Sequence, residues 1–145
     1  MKQRGFTILE VLVALVIMSI GLIGLVGLTM TSAKNNQSAF QRSQASWMAY
    51  GVMDCMRANR VAAQNGAYNV ALGSTPSGGG IANTDVSVWE QSLANTFPSG
   101  KGAISVQNGM ATVTVSWDDS RGLGTLNGNG FAGNAAQSIT IESLL

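Results

Sequence analysis

The sequence predicts an α+β fold in which one long N-terminal helix packs on a small antiparallel sheet of about three strands. An apolar run near the N-terminus continues without a helix breaker until the region of Gly66, and the first proline is Pro76. The hydrophobic period then changes to two in the C-terminal part, as expected for half-buried strands. With 145 residues, the chain is within the range of one domain.

The first half of the long helix is long enough to cross a membrane. Residues 11–33 carry no charge, and as a helix they rise about 35 Å, against a hydrocarbon core of about 30 Å. A secretory signal peptide is the alternative, since Lys2 and Arg4 form a basic leader and small residues lie near Ala33. Against it, this run exceeds the usual apolar region of about 7–15 residues, and Glu10 stands at its leading edge.

Glu10 is the first candidate functional residue. A charged side chain at the centre of a membrane helix costs about 2.5–3.5 kcal/mol on insertion scales, and such residues usually have a partner or a function. The sequence therefore raises the question of which group pairs with this carboxylate.

The second half of the helix, from Lys34 to about Arg60, is predicted to be amphipathic. Its apolar residues recur at steps of three and four, which is typical of a face packed on a core: Ala45, Met48, Ala49, Val52, Met53, Cys55 and Met56. Cys55 is expected in this core face as a small apolar residue, not as a nucleophile. Asp54 and Arg57 are predicted to form an i, i+3 pair on the helix surface.

A short second helix is predicted over residues 85–97. Val88, Leu93 and Phe97 recur at roughly helical spacing, and Thr84 or Asp85 is the expected N-cap. The preceding segment, residues 73–80, is rich in Gly and Ser and predicts a flexible connection. It lacks the lysine of a phosphate-binding loop.

Three strands follow. Asn108-Gly109 predicts a type I′ turn between a strand containing Ile104 and Val106 and a return strand. One face of the return strand is lined by Ala111, Val113, Val115 and Trp117. Residues 118–136 predict a loop, and Ile139, Ile141 and Ser143 indicate a third strand.

The composition argues against most catalytic and nucleic-acid-binding functions. The chain has no His, which removes His-dependent triads and the usual zinc sites, and its net charge is +1. One cysteine cannot form an intramolecular disulfide. Asp118 and Asp119, with the asparagines that follow, could in principle gather a calcium ion, but their spacing fits no EF-hand loop and a solvated loop is favoured.

Taken as a unit, the N-terminus resembles the class III signal of type IV pilins and type II secretion pseudopilins. The resemblance lies in GFTILEVLVALVIMSIGLIGL, where leader, glycine, aromatic residue and glutamate occur in the same order as in that superfamily. It implies cleavage between Gly5 and Phe6 by a membrane prepilin peptidase and methylation of the new Phe6 amine. It also implies that Glu10 pairs with the N-terminal amine of a neighbouring subunit.

The likeness continues through NNQSAFQRSQASWMAYGVMDCMRANR to Arg60, which resembles minor pilins of the PilV group. It implies a pilin-like fold and a non-catalytic subunit, without cofactor or metal, that primes pilus assembly together with other minor pilins and the major pilin. A tip complex beneath an adhesin, support of twitching motility and adhesion, and no nucleic-acid partner are implied as well. The implied location is the inner membrane, in a single pass with a cytoplasmic N-terminus and a periplasmic head, and later the pilus on the cell surface.

These expectations divide the chain into a cleaved leader (1–5), a transmembrane and assembly helix (6–33), an amphipathic helix (34–60) and a small α+β head (61–145). Gly21, Gly24 and Gly27 suggest close helix approach, or a segment that partly unwinds in a filament.

The alternatives to a minor pilin are a minor pseudopilin, a membrane-anchored periplasmic binding module and, least favoured, an enzyme.

Overall fold

The computed structural model describes residues 7–76, 79–122, 126–127, 130–131 and 134–145. Three helices are followed by five strands. In chain order they are α1 (Ile8–Ala58), α2 (Arg60–Gln64), α3 (Ile81–Thr96), β1 (Lys101–Gln107), β2 (Met110–Asp119), β3 (Leu126–Asn127), β4 (Gly130–Phe131) and β5 (Asn134–Leu144). The predicted α+β architecture, a long N-terminal helix on a small three-stranded antiparallel sheet, is confirmed.

Helix α1 is 51 residues long and projects far beyond the head. Its buried residues begin only at Ala45, so the preceding part of the helix lies outside the core. The helix ends at Ala58, two residues before the predicted end, because Asn59 leaves helical geometry (φ −115°, ψ 50°) while its N–H still donates to the Cys55 carbonyl. A second helix, α2, begins at Arg60, directly after this break.

Helix α3 begins at Ile81, four residues before the predicted start. Gly80 is the N-cap with φ 87°, and no side chain caps the helix. The two predicted caps are engaged elsewhere: the Thr84 hydroxyl donates to the Gly80 carbonyl at 3.3 Å, and the Asp85 carboxylate accepts from Tyr68. Val86 and Trp89 of this helix are buried.

Val88 lies outside the core, although it shares the roughly helical spacing of Leu93 and Phe97. Its side chain is 58% exposed, because the buried face of α3 follows Ala82, Val86, Trp89 and Leu93. Phe97, just after the helix, is buried as expected.

The sheet has the order β1-β2-β5, with antiparallel neighbours. The predicted hairpin is confirmed: Asn108 and Gly109 have φ of 51° and 78°, the two positive values that a type I′ turn requires. Val113 at the centre of β2 lies opposite Ile104 in β1 and Ile141 in β5. The predicted inward residues of β2 are all buried.

The segment predicted as a loop over 118–136 contains more structure than expected. Strand β5 already begins at Asn134, with a register shift opposite Trp117 and Asp119. The two-residue strands β3 and β4 pair with each other in the same segment. Side chains in such short, Gly-rich strands give little periodic signal, so the sequence pattern did not reveal them.

The core lies between the C-terminal part of α1, helix α3 and one face of the sheet. Gly102 in β1 lets the Trp89 ring of α3 approach the strand backbone, since a Cβ at this position would overlap that ring. The Phe97 and Trp117 rings stack with their centroids 5.5 Å apart. The head is thus fixed on the last few turns of α1, and the first part of α1 remains outside.

Candidate subunit-docking site

Glu10 lies in the first turn of α1. Thr7 is the N-cap (φ −82°, ψ 149°), and its hydroxyl oxygen accepts a hydrogen bond from the Glu10 N–H at 3.3 Å. Glu10 is therefore the third residue of the helix, where negative charge is favoured by the helix dipole. Thr7-x-x-Glu10 also has the sequence pattern of a capping box, from which the start of the helix could have been predicted.

The Glu10 carboxylate is exposed and has no cationic partner within the described residues, where Asp54–Arg57 is the single ion pair. The helix start explains why a carboxylate is tolerated at this position. It does not provide a counter-charge. That charge would have to come from the residues before Thr7, which the structure does not describe, or from another molecule.

The segment that follows Glu10 has the properties of a membrane-spanning helix. Helix α1 contains an 18-residue window with a mean hydropathy of 2.8, and it is long and apolar enough to cross a bilayer. Its hydroxyl side chains donate within the helix, with Ser19 bonded to the Leu15 carbonyl, Thr29 to Val26 and Thr31 to Gly27 at 2.7–3.0 Å. Internal pairing of this kind is what an environment without water demands.

The three glycines of this segment lie in uninterrupted helix. A Cβ added at Gly21, Gly24 or Gly27 would meet nothing within 4 Å, so neighbouring helices could approach the backbone closely at these positions. Unwinding of the segment in a filament stays a prediction.

Side-chain hydrogen bonds fasten α1 to the head at several points along the helix. Ser38 donates to Asp119 Oδ2 at 2.7 Å, near the point where the helix leaves the head. The Trp89 indole N–H donates to the Met48 carbonyl at 3.0 Å, and Arg57 Nη2 donates to Ser143 Oγ at 2.8 Å. Arg57 also forms the predicted pair with Asp54, at 2.8 Å.

A polar contact also joins α3 to the chain that follows α1. The Tyr68 hydroxyl donates to Asp85 Oδ2 at 2.6 Å. Burial, together with this hydrogen bond to Asp85, raises the pKa of Tyr68 to about 12. Tyr68 therefore remains a neutral donor at physiological pH and holds α3 against the chain that follows α1.

The expectation that Cys55 belongs to the core face was wrong, since the thiol is exposed. The buried residues of α1 are Ala45, Ala49, Val52, Met53 and Met56, and the head does not cover the side of the helix on which Cys55 lies. Partial burial, followed by the charges of Asp85 and Asp54, raises the pKa of the Cys55 thiol above its ordinary value. A raised pKa favours the protonated, less reactive form of the thiol.

Asp118 and Asp119 have separate roles. The Asp118 carboxylate accepts from the Ser120 N–H at 2.8 Å, which lowers the pKa of this carboxyl group. Asp119 is buried and accepts from Ser38. Within the described residues, no group of three or more His, Cys, Asp or Glu side chains could hold a metal ion.

The predicted cleavage and methylation positions, Gly5 and Phe6, lie outside the described residues, as do parts of segments 73–80 and 118–136. The structure therefore brings Glu10 to the exposed start of α1 but gives no geometry for the other two site residues.

Comparison with known proteins gives one match. Residues 1–26 match the family described as the prokaryotic N-terminal methylation motif. No curated protein and no solved structure is significantly similar to the chain. The motif and the long apolar N-terminal helix that it overlaps support a membrane-anchored protein of the type IV pilin-like class, which includes pilins and pseudopilins. Proteins with this motif are processed by prepilin peptidase and are in general structural rather than catalytic.

Proposed function

We propose that the protein is a minor type IV pilin of the PilV group, a non-catalytic subunit that helps to prime pilus assembly and to form the tip complex. In this role it supports twitching motility and adhesion. Its partners are prepilin peptidase, other minor pilins, the major pilin and a tip adhesin. Before assembly it is held in the inner membrane with its head in the periplasm.

One observation carries the proposal. The N-terminal methylation motif of residues 1–26 includes an exposed carboxylate, Glu10, directly before an uncharged helical segment that lies outside the core along its whole length. Burying this segment among similar helices removes apolar side chains from water once the subunit has left the bilayer. In a helix that served only as an anchor, Glu10 would act only at the helix start, and its charge would have no partner in the apolar surroundings.

The chemistry of processing supplies the missing counter-charge. Cleavage after Gly5 removes residues 1–5 and creates an ammonium group on Phe6, which remains cationic after methylation. At the edge of an apolar bundle, where water is scarce, pairing this ammonium with the Glu10 carboxylate of a neighbour avoids two unpaired buried charges. The docking site therefore consists of Phe6 on one subunit and Glu10 on the next.

Glu10→Ala tests this pairing in the native host. The variant is expected to insert and to be processed to a methylated Phe6 start, but to be at least about tenfold depleted from sheared filaments, since one buried charge loses its partner. Ser19→Ala is the control, because it alters the same segment without changing its charge. Normal assembly of Glu10→Ala would contradict the pairing, and an intact mass that starts at Met1 would contradict the superfamily assignment.

The pilus branch is favoured over a secretion pseudopilus by the resemblance over residues 35–60. Deletion of the gene is expected to abolish twitching and to leave the export of secreted enzymes unchanged. The opposite result would identify a minor pseudopilin. The same proposal divides the processed chain into an assembly helix (6–33), an amphipathic helix (34–60) and a head (61–145).

A further inference from the structure

A pocket with charged groups in its walls lies between the segment 73–76, helix α3 and the first residues of β1. It has a volume of about 490 Å³, which is within the range of small-molecule binding sites. The groups that line it include Ser74, Ser87, Glu90, Lys101 and Gly102. We call it the edge pocket, because it lies beside the outer edge of β1.

The first charged group of the edge pocket is the Glu90 carboxylate, on α3. Its Oε1 atom is buried and has no hydrogen-bond partner within the described residues. Burial raises the pKa of this carboxyl group above its ordinary value. A carboxylate in this position is stabilised by an ammonium group that enters the pocket and pairs with it.

The second charged group is the Lys101 ammonium, at the start of β1. The side chain of Lys101 runs along the segment 73–76, since a Cβ at Gly73 would lie 3.6 Å from Lys101 Nζ. Among the residues that the structure describes, Asp54–Arg57 is the single ion pair. Glu90 and Lys101 therefore do not pair with each other, and the edge pocket presents one charge of each sign.

The backbone of β1 opens into the same pocket at Gly102. Ile104 and Val70 exchange two backbone hydrogen bonds, of 2.9 and 3.0 Å, so the N–H and C=O groups of Ile104 face away from β2. Alternate residues of a strand face the same way, and the Val106 N–H donates to Asn69 Oδ1 at 2.8 Å. Gly102 belongs to this series, but in the described part of the chain no backbone group pairs with its N–H or C=O on that side.

We propose that the edge pocket binds a short free peptide of about three residues in an extended conformation. The middle residue of the peptide pairs its C=O and N–H with Gly102, as peptides do when they add to an open sheet edge. The terminal ammonium pairs with Glu90 and the terminal carboxylate with Lys101. Asn69 and Val70 occupy the next positions of the edge, which limits the length of chain that can bind along β1.

The groups of the pocket select this class of ligand. A single amino acid has no residue with both an amide N–H and an amide C=O for the two edge groups of Gly102. A simple anion leaves the Glu90 carboxylate unpaired, and a simple cation leaves the Lys101 ammonium unpaired. Three extended residues span about 10 Å, for which the edge pocket has room.

Calorimetric titration of the detergent-solubilised full chain with trialanine tests the proposal. We expect saturable binding with a Kd below about 1 mM. N-acetyl-trialanine lacks the terminal ammonium, and trialanine amide lacks the terminal carboxylate. Each should bind at least about tenfold more weakly, because one charge of the pocket is left unpaired. Absence of saturable trialanine binding, or equal binding of the three peptides, overturns the proposal.

Two variants assign the ends of the peptide. Glu90→Gln and Lys101→Met should each weaken trialanine binding at least about tenfold. In Glu90→Gln, N-acetylation of the peptide should have less than about a twofold further effect, because the carboxylate that the ammonium meets has been removed. Glu142→Gln and Lys34→Met are the matched controls, since these exposed side chains lie outside the edge pocket. An undiminished effect of N-acetylation in Glu90→Gln, or equal weakening by the control variants, overturns the proposal.

This inference and the proposed function fail separately. The titration uses solubilised subunits and needs no filament, so a negative result leaves the filament role intact. Failure of the chain to enter filaments contradicts the proposed function and leaves the peptide titration unaffected.

Discussion

At the scale of single residues, Glu10 combines a local role with a proposed intermolecular one. Its backbone N–H donates to the Thr7 hydroxyl, and its position in the first turn suits the helix dipole. These interactions belong to the isolated subunit, and the pairing with Phe6 belongs to the assembled one. A substitution that keeps the interactions at the helix start and removes the carboxylate charge separates the two roles.

Glu10→Gln is that substitution. Glutamine also serves at the third position of a capping box, so the helix should begin at the same residue, but the charge is gone. We expect normal membrane insertion and processing, with filament incorporation as poor as that of Glu10→Ala. Quantitative immunoblots of membrane and sheared-filament fractions provide the measurement. Incorporation of Glu10→Gln at the wild-type level would show that the carboxylate acts only at the helix start.

Gly102→Ala should disrupt the core. A Cβ at this position would overlap the Trp89 ring and press on Leu93 Cδ1, so we expect a loss of about 1–3 kcal/mol in the free energy of unfolding. Gly51→Ala is the control, because a Cβ there meets nothing within 4 Å and helix propensity predicts a gain of about 1 kcal/mol. Thermal unfolding of the detergent-solubilised chain measures both. A similar melting temperature for the two variants would contradict the described packing.

The raised pKa of Tyr68 predicts that the folded protein loses stability at alkaline pH. Its pKa is raised from 10.0 to about 12, so between these values the unfolded chain has lost a proton that the folded chain retains. The contribution of Tyr68 is therefore complete below pH 10 and declines as the pH rises through the folded-state pKa. Denaturant unfolding from pH 8 to 12 should show this decline, and Tyr68→Phe should be less stable at pH 8 but have a flatter profile. An equal slope in the variant would assign the decline to other groups.

At the scale of elements, the sequence was most informative where structure depends on local chemistry. Asn108-Gly109 specifies its turn through two positive φ values, and the strict alternation in β2 follows directly from the sequence. The start of α3 was missed because Gly80 caps the helix without a side-chain signal. Cys55 was misplaced because periodicity identifies an apolar face but not the width that a partner element covers.

The candidate site was predictable to a similar extent. Glu10, with the leader before it, is identified by a contiguous motif. The exposure of Trp47 could be known only from the side of α1 that the head occupies, and that depends on contacts between distant parts of the chain. Sequence spacing alone could not assign Trp47 to solvent or to the core.

The hairpin turn offers a test at this scale. Gly109 has φ 78°, which an L-residue adopts only with strain, so Gly109→Ala should lower the free energy of unfolding by about 1 kcal/mol. Asn108→Gly should be nearly neutral, since glycine accepts the positive φ of that position. Chemical denaturation of the two variants gives the comparison. A neutral Gly109→Ala would argue against a type I′ turn.

At the scale of the whole molecule, the head and the first part of α1 are energetically separate. The buried residues of α1 begin at Ala45, and the most N-terminal hydrogen bond between the helix and the head is made by Ser38. A fragment of residues 35–145 should therefore fold in water without detergent and melt in one cooperative transition. Circular dichroism and calorimetry measure this, with Gly102→Ala in the same fragment as a destabilised reference. A fragment without a cooperative transition would show that the head requires the apolar segment.

The hydrogen bond between Ser38 and Asp119 has a mechanical consequence for the far end of the helix. From Ser38 to Glu10 the helix extends about 42 Å without contact with the head, so it acts as a lever whose pivot lies at this bond. A tilt of roughly 5° at the pivot moves the Glu10 end by about 4 Å, which is as large as the distance over which an ion pair counts as formed. The hydrogen bond between a serine and a buried aspartate thus limits how far the Glu10 carboxylate, many turns away, can move relative to the head, and so how accurately it can reach the neighbour proposed for it.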